Sequence, residues 1–164
     1  MNPKHISYTT ISISLFLLIY ALTQECFCTN SCGSSAIVFF MGWAGILMDL
    51  GAFFSDIADI LQSKGGGNIS PIGASFSWLA NPLILLTYFA LISEHKTALY
   101  LSVASTLFAL SFLFFDKILD NEAGHYNEIK SYQLGYWLWL GSSVVNLIGS
   151  TILIKLNKAT SSVF

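Results

Sequence analysis

Runs of apolar residues, separated by short polar links, set the pattern of this chain. The clearest runs are residues 6–23 (ISYTTISISLFLLIYALT), 76–92, 98–119 and 134–154. Each is near the ~20 residues that a helix needs to cross the hydrocarbon core of a bilayer. Helices are the expected form, because backbone groups in lipid must find their partners within the segment. A fifth run, residues 36–62 (AIVFFMGWAGILMDLGAFFSDIADILQ), reads differently: Asp49 interrupts it, and Asp56 and Asp59 follow. At about 100° per residue these three carboxylates share one helical face, which makes the second half amphipathic. A charged side chain at the bilayer centre costs at least roughly 3 kcal/mol. The pattern therefore predicts an all-α membrane protein with four transmembrane helices in an antiparallel bundle, and an interfacial or re-entrant helical segment over 36–62. A five-span arrangement is the competing expectation.

Composition supports the membrane assignment. Hydrophobic residues make up 54% of the 164, the mean hydropathy is +0.67 and only 10% are charged, against about 25% in ordinary soluble domains. A single membrane domain, 1–164, is the expected organisation, with the lipid bilayer as its first partner. The net charge of -2 excludes a nucleic-acid partner, which requires a basic surface. All seven basic residues are lysines. Without arginine, the side chain suited to bidentate phosphate clamping, nucleotide or phosphoryl-transfer chemistry is not expected, and no cofactor motif stands out.

With four spans, Lys4, Lys96, Lys155 and Lys158 face inside with Glu94. The other eight acids lie outside with Lys64, Lys117 and Lys130. Lysine counting gives four inside and three outside for five spans as well, with Lys4, Lys64, Lys117 and Lys130 then inside. It is the acids, eight of nine outside with four spans, that favour both termini in the cytoplasm. The first run lacks a good cleavage site, since bulky Ile19 stands two residues before Ala21, and it reads as an uncleaved anchor. Two outer loops result, 24–75 and 120–133. Trp78, Tyr132, Tyr136, Trp137 and Trp139 would lie near the outer headgroups as an aromatic belt.

Three segments carry a resemblance: Gly42-Trp43-Ala44-Gly45, Trp78-Leu79-Ala80-Asn81-Pro82 and Leu134-Gly135-Tyr136-Trp137-Leu138-Trp139, with Asn121 to His125 beside them. Together they resemble a group of small, uncharacterised four-helix inner-membrane proteins of bacteria. The resemblance implies a bacterial inner-membrane location and no particular chemistry. In that group the Gly-Trp and Trp-Leu-Ala-Asn-Pro segments lie close in sequence, whereas here Leu47 to Gly73 separates them.

Candidate chemistry is sparse. Cys26, Cys28 and Cys32 form a C-x-C-x3-C set in the first outer loop, where thiols oxidise. Cys26–Cys32 and Cys28–Cys32 are both easier bridges than the tight Cys26–Cys28 ring. The layout resembles the quinone-linked disulfide-generating membrane oxidases. Those enzymes have a C-x-x-C pair in this loop and a second pair in the other, and this chain lacks the second. A soft metal held by the three thiols with Glu122 or His125 is a further candidate, although paired zinc signatures are missing. Glu122, His125 and Glu128, spaced by three, could supply acid and base; a solvated loop helix is the plainer expectation. Ser142, Asn146 and Gly149 on the last span, and Ser102, Ser105 and Ala109 on the third, read as small-residue packing stripes.

Three function classes follow. The first is a non-enzymatic protein that binds a membrane partner, a toxin or itself through an acidic outer face (Asp49, Asp56, Asp59, Glu122, His125, Glu128), as accessory and immunity proteins do. The second is a redox protein using the cysteine loop, and the third a transport component using Asp49, Asp56 and Asp59.

Overall fold

The computed structural model describes residues 3–62, 73–93, 96–119 and 126–161. Most of them are helical. The order is α1 (Pro3–Leu22), β1 (Glu25–Cys28), β2 (Cys32–Ser34), α2 (Ser35–Gln62), a 3-10 helix (Ala74–Leu79), α3 (Ala80–Ile92), α4 (Thr97–Ser111), a 3-10 turn (Phe112–Phe114), β3 (Lys117–Leu119), β4 (Tyr126–Glu128), β5 (Ser131–Tyr132) and α5 (Leu134–Ser161).

α1, α3, α4 and α5 form a bundle whose neighbours run antiparallel. On α3, Ile84 packs with Leu18 and Tyr88 hydrogen-bonds Ser14, so the α1 partner falls in number as α3 advances. Tyr136 donates to the Ala109 carbonyl at 3.1 Å, while Leu153 packs on Ala98 and Leu91 at the other end. α1 and α5 make the closest pairing. The Ser14 hydroxyl, which can donate to one group at a time, lies 2.8 Å from the Ser142 carbonyl, and Gly149 lets α5 approach Thr10 so closely that a Cβ there would strike it. The buried positions of α1 include Ser7, Thr10, Ser14, Leu18 and Ala21, a stripe at helical spacing. Small side chains on both helices permit this approach.

One end of the bundle carries two small sheets. β1 pairs with β2 and with β5, all antiparallel, and β3 pairs with β4. We call this the sheet end. The strands modify the all-α expectation locally. The third span ends early: α4 stops at Ser111, and Lys117 to Leu119 is strand where helix is expected. Glu128 likewise belongs to a strand and faces Lys117 in register, an opposite-charge cross-strand pair in place of a loop helix.

Among the described residues, five helices are long and apolar enough to cross a membrane: Pro3–Leu22, Ser35–Ser55, Ala74–Ile92, Thr97–Phe114 and Leu134–Asn157. The pattern of the sequence gives four, and the extra one is the first half of α2. Its placement differs from the rest. The Ser35 amide donates to the Gln24 carbonyl, at the end of α1, and Gly135 closes on Ser35 and Glu25. Fourteen residues on, roughly 21 Å along the helix axis, Asp49 packs against Gly73 and Ser75. The neighbouring Ala74 belongs to the sheet-end cluster of Cys26, Phe27, Phe112 and Tyr136. Both Ser35 and Asp49 thus touch the sheet end, and α2 packs chiefly on the 3-10 helix Ala74–Leu79.

Candidate functional site

The three motif segments meet at the sheet end. Gly42 and Gly45, one helical turn apart on α2, have no side chain to obstruct Trp78 and Ser75; a Cβ on Gly42 would run into the Trp78 ring. Trp78 in turn donates its indole N–H to the Phe39 carbonyl at 2.6 Å, tying the 3-10 helix to α2. Asn81 Oδ1 accepts from the Trp139 indole at 2.7 Å, linking α3 to α5. Gly135 makes room for Ser35 and the Glu25 backbone. In sequence these segments lie up to roughly ninety residues apart, and no local signal indicates that they converge.

Between α2 and the bundle they enclose a cavity of about 460 Å³, within the usual range for small-molecule sites. Its walls include Leu18, Val38, Met41, Met48, Trp78 and Trp139, with Cys26, Ser35, Ser75, Ser77 and Asn81 as the sparse polar residues. The Ser35 hydroxyl is buried beside the Cys26 thiol, a weak partner, and makes no hydrogen bond of good geometry.

The cysteines separate into two roles. Cys28 and Cys32 face each other across the β1–β2 hairpin and form the disulfide, with Cα atoms 4.0 Å apart. This selects one of the two expected bridges. Cys26 is a buried free thiol in the cavity wall, and burial pushes its pKa up to about 12. At neutral pH it is a protonated, weakly nucleophilic group. Glu25 lies with Cys28 and Cys32 in a cluster whose ligand-capable atoms fall within 4.8 Å of one another. While the disulfide is closed, its sulfurs are not thiolates and that set is a poor soft-metal site.

The aromatic belt is partly a clamp. Tyr136 is fully buried, and its ring lies 5.6 Å from Phe112 and 5.1 Å from Tyr132. Tyr132 also lies 3.3 Å from both the Phe112 and Phe115 carbonyls, either of which can accept its hydroxyl proton. Trp137 is about half exposed. These rings fasten β1 and β5 to the bundle.

Of the expected acidic face, the side chains of Asp49 and Glu128 fall within the described residues. Asp49 is 6% exposed, hydrogen-bonded to Ser75, with Oδ2 unpartnered. Asp56 and Asp59 lie on α2, but their side chains are outside the described residues, as are Glu122 and His125 altogether. Glu128 is exposed on β4. Ser142 and Asn146 are fully buried in the bundle, and the Asn146 amide lies beside the Tyr88 hydroxyl without a hydrogen bond of good geometry. Ser102, Ser105 and Thr106 bond carbonyls of their own helix, so their outward surface is effectively apolar and small.

No protein-family model matches the chain, and neither a curated protein nor a solved structure is significantly similar to it.

Proposed function

We propose that this is a non-catalytic, multi-pass protein of the bacterial inner membrane that acts by binding a membrane partner through α2. Four helices cross, both termini are cytoplasmic, and α2 lies in the outer interface across the bundle end. The chain direction supports this topology. α3 runs antiparallel to α1, so an even number of crossings must separate them from the next helix onward; the excursion through α2 leaves and rejoins at the same end. One more full crossing in between would reverse α3.

The observation that carries the binding role is the uncovered apolar surface of α2. Phe40, Trp43, Leu47, Phe54 and Leu61 are all large and exposed. A contiguous apolar surface of this kind marks an interaction site, against lipid or protein. Photo-crosslinking residues placed at Phe40 and Leu47 in native membranes test the reading. A discrete protein adduct, abolished by Leu47→Asp, is the expected result; adducts to lipid alone at both positions would remove the partner and leave an anchor.

The redox alternative draws support from the disulfide and from Cys26 in the cavity wall two residues away. It is opposed by the protonated state of that thiol. Transport is less well supported: among the described residues the buried carboxylate is Asp49, at the sheet end and not midway through the bundle.

A further inference from the structure

The cavity beneath α2 is lined mainly by apolar groups, which hold water poorly, and it is partly open to its surroundings. Apolar voids stay dry, and an unfilled wall forfeits its dispersion contacts. Something apolar belongs there. Three wall residues indicate from which side it enters: Ile37, Met41 and Met48 line the cavity and are also 65%, 57% and 38% exposed. The cavity thus opens along the edge of α2 that carries Ile37, Met41 and Met48, beside the Phe40, Trp43 and Leu47 face assigned to a partner. In the interfacial placement proposed above, on which this inference rests, that surface lies at the boundary between headgroups and acyl chains.

We propose that the cavity holds one acyl chain of a membrane phospholipid, with the Ser35 hydroxyl donating to its ester carbonyl. The chain matches the Leu, Val, Met and Trp walls. The ester supplies a stronger acceptor than the Cys26 sulfur, the weak partner that the chain itself offers the buried Ser35 Oγ, and a poorly paired buried hydroxyl is costly. Methionines at the entrance suit a flexible ligand, because their unbranched side chains repack around irregular shapes. The glycines of α2 have a second consequence here: with Gly42 and Gly45 seated on Trp78 and Ser75, the helix is held close along one edge while the cavity remains under its first turns.

Tryptophan emission reads this occupancy. Trp78 and Trp139 line the cavity and are both hydrogen-bonded, whereas Trp43 and Trp137 are about half exposed. The variant Trp43→Phe/Trp137→Phe keeps only the cavity pair. In vesicles of phosphatidylcholine with brominated acyl chains it should lose most of its emission relative to unbrominated vesicles. Adding Ala21→Leu and Val38→Phe, which fill the cavity from two walls, should restore much of that emission. Vesicle flotation of the same samples reports membrane association separately. Protein that floats but is not quenched overturns the acyl-chain site and leaves the membrane reading intact; quenching that is unchanged by filling overturns it too, since bromine then reaches the rings from outside. Protein that does not float overturns both. Native mass spectrometry of the unaltered chain in mild detergent gives a second test, independent of whether the filled variant folds: a retained phospholipid mass, reduced by Ser35→Ala, is expected, and protein mass alone overturns the site.

Discussion

Cys26 and Gly42 show how single positions set the properties of the sheet end. For Cys26, burial moves the thiol from its ordinary value of 9.0 to about 12. The thiolate fraction at pH 8 is then on the order of 10⁻⁴, so iodoacetamide at that pH should leave Cys26 unlabelled in the folded protein and label it readily after denaturation. The same shift has a sign for stability. The folded pKa is the higher one, so the contribution is complete below the unfolded value and is lost as pH rises from about 9 towards 12; unfolding followed across that range should show a declining midpoint that Cys26→Ala flattens. Gly42 acts by having no side chain. Gly42→Leu should destabilise by about 1–3 kcal/mol through forced movement of Trp78, measurable as a lower thermal midpoint and a red shift of tryptophan emission. An unchanged midpoint would mean that α2 is not seated on Trp78.

At the scale of elements, the hairpin and the α1–α5 pair carry the structural load. The Cys28–Cys32 bridge closes a short loop, and the chain-entropy argument gives it about 2 kcal/mol. Cys28→Ser/Cys32→Ser should lower stability by that order and loosen β1 from β5 more than it disturbs the bundle, which hydrogen exchange by segment would reveal. Gly149→Leu addresses the other element. It forces α5 from Thr10 and should cost more than a surface substitution, about 1–3 kcal/mol, with Ser14–Ser142 exchange protection lost alongside. The sequence marks Ser142, Asn146 and Gly149 by spacing, and Ser7, Thr10 and Ser14 on α1 share a helical spacing too, but spacing does not say that these two stripes meet each other.

For the whole molecule, the topology is the property to test. Impermeant maleimide applied to intact cells should label a cysteine placed at Asn30 and one at Ser75, both in a Cys-free background, and should leave one at Lys96 unlabelled until the cells are opened. Labelling of Asn30 and Ser75 from opposite sides would require α2 to cross and would remove the interfacial reading. The antiparallel relation of α1 to α3 makes same-side labelling the expected outcome.

Hydropathy by itself determined that this chain is a bundle of apolar helices, because the cost of an unpaired backbone in lipid makes any run of this length helical. It also located the cysteine loop and the small-residue stripes, which depend on local spacing. Tertiary structure decided the rest. Which cysteines pair depends on the register of a hairpin whose strands, Glu25–Cys28 and Cys32–Ser34, are too short to show a period. The third strand, β5, comes from roughly a hundred residues away, and the cavity is made by Gly42, Trp78, Gly135 and Trp139 only when α2 turns across the bundle end. Such features arise from long-range steric fit, in which a glycine matters for what it admits; a linear pattern records where apolar residues are, but not which surfaces they will meet.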